Sequence, residues 1–166
     1  MAKNFCYTIP DGEHKGETLW SGRYCCVAGF VFLIKDGEVF ILANKRGLGA
    51  PDFQGMWNCP CGFLEGDENG QEGVSREVYE ECGVKIDPSL FILSNVQTDP
   101  KESNKGHVTL RYYTILKDDN FNLVQSGGEE NEVSEIAFIR LKDIFNYSWA
   151  FNHRTLILEM FVKHIM

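Results

Sequence analysis

The stretch from Asn69 to Gly83 carries both ends of a helix and two faces that cannot be exchanged. Asn69 is a strong N-capping residue, and Glu72 three positions later completes a capping-box pattern. Gly83 stands where a left-handed residue ends a helix. The spacing predicts a helix from about Asn69 to Cys82. On it Val74, Val78 and Cys82 recur at i, i+4 and i+8, a stripe suited to burial. Glu77, Glu80 and Glu81, at i, i+3 and i+4, put their carboxylates on another face, with Cβ atoms about 5–6 Å apart. Like charges at that spacing repel by a few tenths of a kcal/mol per exposed pair. Arg76, four residues before Glu80, offsets part of this. A hard divalent cation, Mg2+ or Mn2+, would offset far more, because carboxylate oxygens suit it. The alternative is a solvated acidic face without chemistry.

The rest of the chain reads mainly as strands. Residues 24–34 and 38–46 are apolar, β-rich runs split by Asp36-Gly37, a hairpin signal. Residues 47–55 form a Gly-rich loop, and Met56 to Cys61 a short strand. Further strands are expected at Leu90–Gln97, His107–Leu116 and Val133–Arg140. A second helix is expected over Ala150–Lys163, where Leu156, Ile157, Met160 and Phe161 recur at helical spacing. Residues 1–22 are polar and turn-rich around Pro10-Asp11-Gly12, and read as an N-terminal hairpin or extension. The expected architecture is a single α/β domain over residues 1–166, a sandwich with a central mixed sheet.

Composition narrows the function classes. The net charge is −8, and no basic stripe is visible, which argues against a nucleic-acid polymer as partner. No apolar run approaches the roughly 20 residues of a membrane-spanning helix. The N-terminus lacks the apolar core of a secretory signal, so the expected compartment is the cytoplasm. The six cysteines are expected to be reduced and structural, since no CxxC pair or zinc-knuckle spacing occurs.

Gly62, Glu68, Arg76-Glu77, Val78, Glu80-Glu81, Gly83 and Val84 fill every position of G-x5-E-x7-R-E-U-x-E-E-x-G-U, with U apolar. This resembles the Nudix box of the Nudix hydrolase family. The approach Met56-Trp57-Asn58-Cys59-Pro60-Cys61-Gly62 is similar to the family's W-x-x-P-G-G, with Cys61 in place of the first Gly of the pair. The resemblance implies a Nudix-type α/β/α sandwich. It also implies metal-assisted hydrolysis of a nucleoside diphosphate linked to another group, with Mg2+ or Mn2+ as cofactor. Glu77, Glu80 and Glu81 would bind the metal, joined by Glu68, and Arg76 would orient carboxylates. The general base would be Glu80 or Glu81, or a glutamate of the Gly-hinged loop 126–132: Glu129, Glu130 or Glu132. Gly62 would allow close backbone approach of substrate, and Gly83 would end the helix.

Residues 98–116 and 149–161 resemble the corresponding segments of the ADP-ribose pyrophosphatase-like branch, with Asn152 where that branch commonly has Asp. ADP-ribose or a related nucleotide sugar is the expected substrate. Nucleoside triphosphates, deoxynucleoside triphosphates and dinucleoside polyphosphates are the alternatives. Arg46, Lys101, Lys105 and Arg111 are candidates to hold phosphate or ribose, and Phe53, Trp57, Tyr112 and Trp149 to stack a base. His107 and His153 are expected to be structural. A non-catalytic nucleotide sensor is the rival class, and a homodimer formed through residues 1–22 is an option by family analogy.

Overall fold

The computed structural model describes residues 5–101, 106–117, 122–125 and 131–166. Strands β1 (Phe5–Thr8) and β2 (Thr18–Ser21) form an antiparallel hairpin apart from the main sheet. The main sheet holds β3 (Cys25–Lys35), β4 (Glu38–Arg46), β5 (Trp57–Asn58), β6 (Cys61–Phe63), β7 (Ile92–Gln97), β8 (Val108–Leu116) and β9 (Val133–Arg140). Their path is β5-β4-β3-β8-β7, with β6 joined to β3 and β9 to β4. The sheet is mixed: β3 and β8 run parallel, and the other pairings are antiparallel. Asp36 and Gly37 both take positive φ, 51° and 74°, as a two-residue hairpin turn matched to the sheet's twist requires.

Helix α1 (Gly70–Cys82) covers one face of the sheet and α2 (His153–His164) the other, so the expected α/β/α sandwich is the fold. The alternation along β3 shows why. Val27 and Val31 point to the α1 side, where they meet Val74, Val78 and Cys82. Ala28, Phe30 and Phe32 point to the α2 side, where they meet Ile157 and Met160. Burying each large apolar side chain contributes about 1.5–3 kcal/mol. Gly29 lies between Val27 and Val31, and a Cβ there would stand 2.8 Å from Val74 Cγ2. Glycine at that position is what lets α1 settle close to the sheet.

Strands β3 and β4 pair only near their turn, Phe32–Lys35 against Glu38–Ile41. Farther on they diverge. The segment 57–63 fills the wedge: β5 pairs with β4 at Asn44 and Lys45, and β6 pairs with β3 at Cys26–Ala28. The Gly29 N–H donates to the Pro60 carbonyl at 2.9 Å between them. The single strand expected over Met56–Cys61 is therefore two short strands serving two diverging edges.

Three other boundaries differ from expectation. Strand β7 begins at Ile92 because Pro88–Leu90 form a 3-10 turn capped by Asp87. Strand β8 begins one residue late, at Val108. Helix α2 begins at His153, since Phe151 and Asn152 are held left-handed at φ 54° and 63°, which no helical turn accommodates.

Candidate functional site

Helix α1 starts and ends as its caps dictate. Asn69 Oδ1 accepts from the backbone of Gln71 and Glu72, and Glu72 returns a bond to the Asn69 N–H. Gly83 closes the helix at φ 74°. With both ends fixed and the Val74–Val78–Cys82 stripe buried, the rotation of the helix is set. Its acidic face turns toward the wedge strand β6.

There Arg76 gathers the box glutamates. Its guanidinium forks onto Glu68, with Nε to Oε2 at 3.0 Å and Nη2 to Oε1 at 2.7 Å. Nη1 bridges Glu77 Oε1 at 2.8 Å and Glu80 Oε2 at 3.0 Å. Nη2 also reaches the Phe63 carbonyl, tying the helix to β6. The Arg76 hydrogen bond pulls the Glu68 carboxyl below its ordinary range, and the same contacts raise the guanidinium's own pKa. Glu77 is buried, which pushes its pKa up against the pull of Arg76. Its carboxylate lies against the bare Cα of Gly62, where a Cβ would meet Oε1 at 2.2 Å.

Glu81 is held on another side. Asn44 Nδ2 of β4 donates to Oε2 at 2.7 Å, and the Cys61 N–H donates to the same oxygen at 3.1 Å. Burial, then the neighbouring Glu77 charge, push the Glu81 carboxyl up to about 8. A dry carboxylate beside a second one is the environment that a cation relieves.

These groups line one cavity of about 910 Å3 between α1 and the loops around β4 and α2. Gly62, Arg76, Glu77, Glu80 and Glu81 line it, as do Arg46, Arg111, Phe53, Trp149 and Phe151. Arg46 is pinned by Asp52, with Nε to the carbonyl and Nη2 to Oδ1, both at 2.8 Å, and lies over the Phe151 ring at 5.0 Å. Arg111 contacts Asn95 Oδ1 at 3.5 Å. Glu132 also lines the cavity.

The structure thus brings together Arg46, Phe53, Gly62, Glu68, Arg76, Glu77, Glu80, Glu81, Arg111, Glu132 and Trp149 of the expected residues, Glu68 through its bonds to Arg76. Trp57 is elsewhere: it is buried on the α2 side, edge-on to Tyr147 at 5.6 Å. Tyr112 packs into the α1 core against Gly70. Lys101 is exposed and lies outside the cavity lining. Glu129, Glu130 and Lys105 lie outside the described residues. His153 accepts the Cys59 N–H at Nδ1, 2.9 Å, and burial drives its pKa down to about 3, so it is neutral and structural. Burial raises the thiols of Cys59, Cys61 and Cys82 well above the usual range, which keeps them unreactive.

Sequence reasoning missed Asn44, Asn58 and Phe151 as cavity residues. For the asparagines a signal was present: each is a polar residue inside an otherwise buried strand. Phe151 gave none, because its place depends on the left-handed turn before α2.

The residues present fit a divalent cation in their chemistry. The donors on α1 are all carboxylate oxygens, and Gly62 leaves room for the Glu77 carboxylate where a side chain would collide with it. Among the described residues no three His, Cys, Asp or Glu side chains already stand in a coordinating arrangement; Arg76 holds the carboxylates instead.

Comparison with known proteins places the chain in a family. The model of the NUDIX domain matches residues 26–160, and the chain belongs to that family. It is 29% identical over 128 residues to the ADP-ribose pyrophosphatase of Methanocaldococcus jannaschii, covering 75% of this chain and 66% of that protein. It is 29% identical over 87 residues to human 8-oxo-dGDP phosphatase NUDT18, covering 52% of this chain and only 26% of that protein. The matches thus span about two thirds and about a quarter of these relatives. The fold superposes on the NUDIX domain of Shewanella oneidensis NrtR, complexed with ADP ribose, with a TM-score of 0.73 and 21% identity, over 86% of this chain and 89% of that one. Among the described residues no helix is long and apolar enough to cross a membrane.

Proposed function

We propose that this chain is a metal-dependent pyrophosphohydrolase that cuts the diphosphate linkage of a nucleoside diphosphate joined to another group, with ADP-ribose or a related nucleotide sugar as substrate. The observation that carries this is the one cavity whose lining holds the α1 glutamates together with Arg46 and Arg111. Carboxylates suit a cation, and guanidinium groups suit phosphate oxygens. The names of the Methanocaldococcus relative and of the NrtR complex supply the choice of ADP-ribose.

Glu77, Glu80 and Glu81 would hold Mg2+ or Mn2+, with Glu68 and Arg76 positioning them. A bound divalent ion supplies phosphoryl polarisation and a more acidic water. Arg46 and Arg111, in the same cavity lining, bind the diphosphate. Glu81 Oε2 is engaged by Asn44 and Cys61, which leaves Oε1 as the atom that takes a proton from water. Glu80 is the alternative base, and a base from residues 126–132, Glu130 included, would act from outside the described residues. Gly62 brings the β6 backbone against the substrate. We take the working location to be the cytoplasm, with a small molecule as partner, neither membrane nor nucleic-acid polymer, and a homodimer as an oligomeric option.

The test is product analysis on ADP-ribose, other nucleotide sugars, dinucleoside polyphosphates and nucleoside triphosphates, with Mg2+, Mn2+ or excess chelator. Chelator-sensitive release of AMP from ADP-ribose supports the reading. Cleavage of another panel member replaces the substrate but keeps the reaction class. No turnover, with thermal stabilisation by ADP-ribose, favours a nucleotide sensor.

A further inference from the structure

Asn44 and Asn58 face each other directly across β4 and β5. Both line the cavity, and both are buried, at 1% and 0% exposure. Their amide nitrogens are committed. Asn44 Nδ2 donates to Glu81, and Asn58 Nδ2 donates to the Cys59 carbonyl at 2.9 Å. Those partners fix the orientation of each amide, since turning either one over would set oxygen against oxygen. The carbonyl oxygens, Asn44 Oδ1 and Asn58 Oδ1, have no hydrogen-bond partner among the described residues. A buried acceptor left unpaired costs about 1–3 kcal/mol, and the two residues that carry these acceptors are paired across the strands.

Directly opposed side chains in a sheet have Cβ atoms about 4.5–5.5 Å apart. Two unpaired amide oxygens on directly opposed residues suit a pair of neighbouring donors on one ligand. They do not suit a phosphate, which offers only acceptors and would be repelled. Asn44 is bonded to Glu81, so the pair borders the carboxylates of α1. We propose that Asn44 and Asn58 form a two-acceptor subsite that selects substrates by adjacent hydrogen-bond donors on the nucleoside. Those donors belong either to the ribose diol or to the N–H edge of the base. The subsite rests on the nucleotide-hydrolase reading above and deepens it.

The test is calorimetric titration of the whole chain, with Mg2+, by AMP, by 2′-deoxy-AMP and by IMP, in which a carbonyl replaces the amino group. None of these needs turnover, so the result stands even where ADP-ribose is not cleaved and the proposed reaction fails. Wild type is expected to bind AMP about tenfold more tightly than one analogue, the worth of one buried hydrogen bond. Loss with 2′-deoxy-AMP assigns the ribose; loss with IMP assigns the base. Asn58→Leu, similar in volume and without an acceptor, is expected to erase that difference; Asn58→Ala, also without an acceptor, serves where the leucine variant does not fold. Equal binding of all three by wild type, no binding of any, or a preference unchanged in the variant overturns the subsite.

Discussion

A methyl group on Gly62 would lie 2.2 Å from Oε1 of Glu77, so the bare backbone of β6 is the wall against which the buried helix carboxylate rests. The contact is with the end of a long side chain, which can swing away at small cost to the fold. Gly62→Ala is therefore expected to change the melting temperature by only a few degrees while displacing Glu77 and lowering kcat at least about tenfold. Steady-state kinetics and a melting curve on the same preparation check it. A variant with wild-type kcat would show that Glu77 need not sit where it does.

Arg76 holds Glu68, Glu77 and Glu80 at once, and its side chain is 22% exposed. Removing it leaves carboxylates facing one another in a partly dry site. Arg76→Ala is expected to cost about 2 kcal/mol or more, given what breaking one side of a partly buried ion pair costs. Arg76→Lys should recover only part of this, since an ammonium cannot form the fork onto Glu68. Urea unfolding of the three proteins decides; equal stability would mean the network contributes nothing.

His153 gives a pH dependence. Its pKa falls from 6.5 to about 3 on folding, because burial disfavours the charged ring. Between these values the unfolded chain binds the extra proton, so stability is full above pH 6.5 and falls as pH drops toward 3. The slope reaches about 1.4 kcal/mol per pH unit. His153→Asn keeps an acceptor for the Cys59 N–H but does not titrate. Between pH 7 and 5 wild type should lose about 2 kcal/mol more than the variant. Equal losses in urea titrations would contradict the assignment.

The residues that set the fold were readable where one local rule decided them. Asn69, Glu72 and Gly83 mark the limits of α1 in the sequence and cap it in the structure. Asp36-Gly37 marks the β3–β4 turn for the same reason. The divergence of β3 and β4 was not readable, because it depends on which strand pairs with which edge. That divergence splits β5 from β6 and places Asn44 and Asn58 on the cavity wall. Trp57 shows the same limit. Its sequence neighbour Asn58 lines the cavity, but the strand's alternation turns the Trp57 ring into the α2 core.

In the proposed function the acidic face of α1 runs the hydrolysis. The most direct measurement is turnover of ADP-ribose by wild type, Glu80→Gln and Glu81→Gln, each with saturating Mg2+ or Mn2+ and with circular dichroism to confirm the fold. Each glutamine keeps the shape and removes the charge. Both variants are expected to fold and to show kcat lower by about a hundredfold or more, the scale of a lost metal or base contribution. Wild-type turnover in both folded variants would contradict it and move the chemistry off this helix.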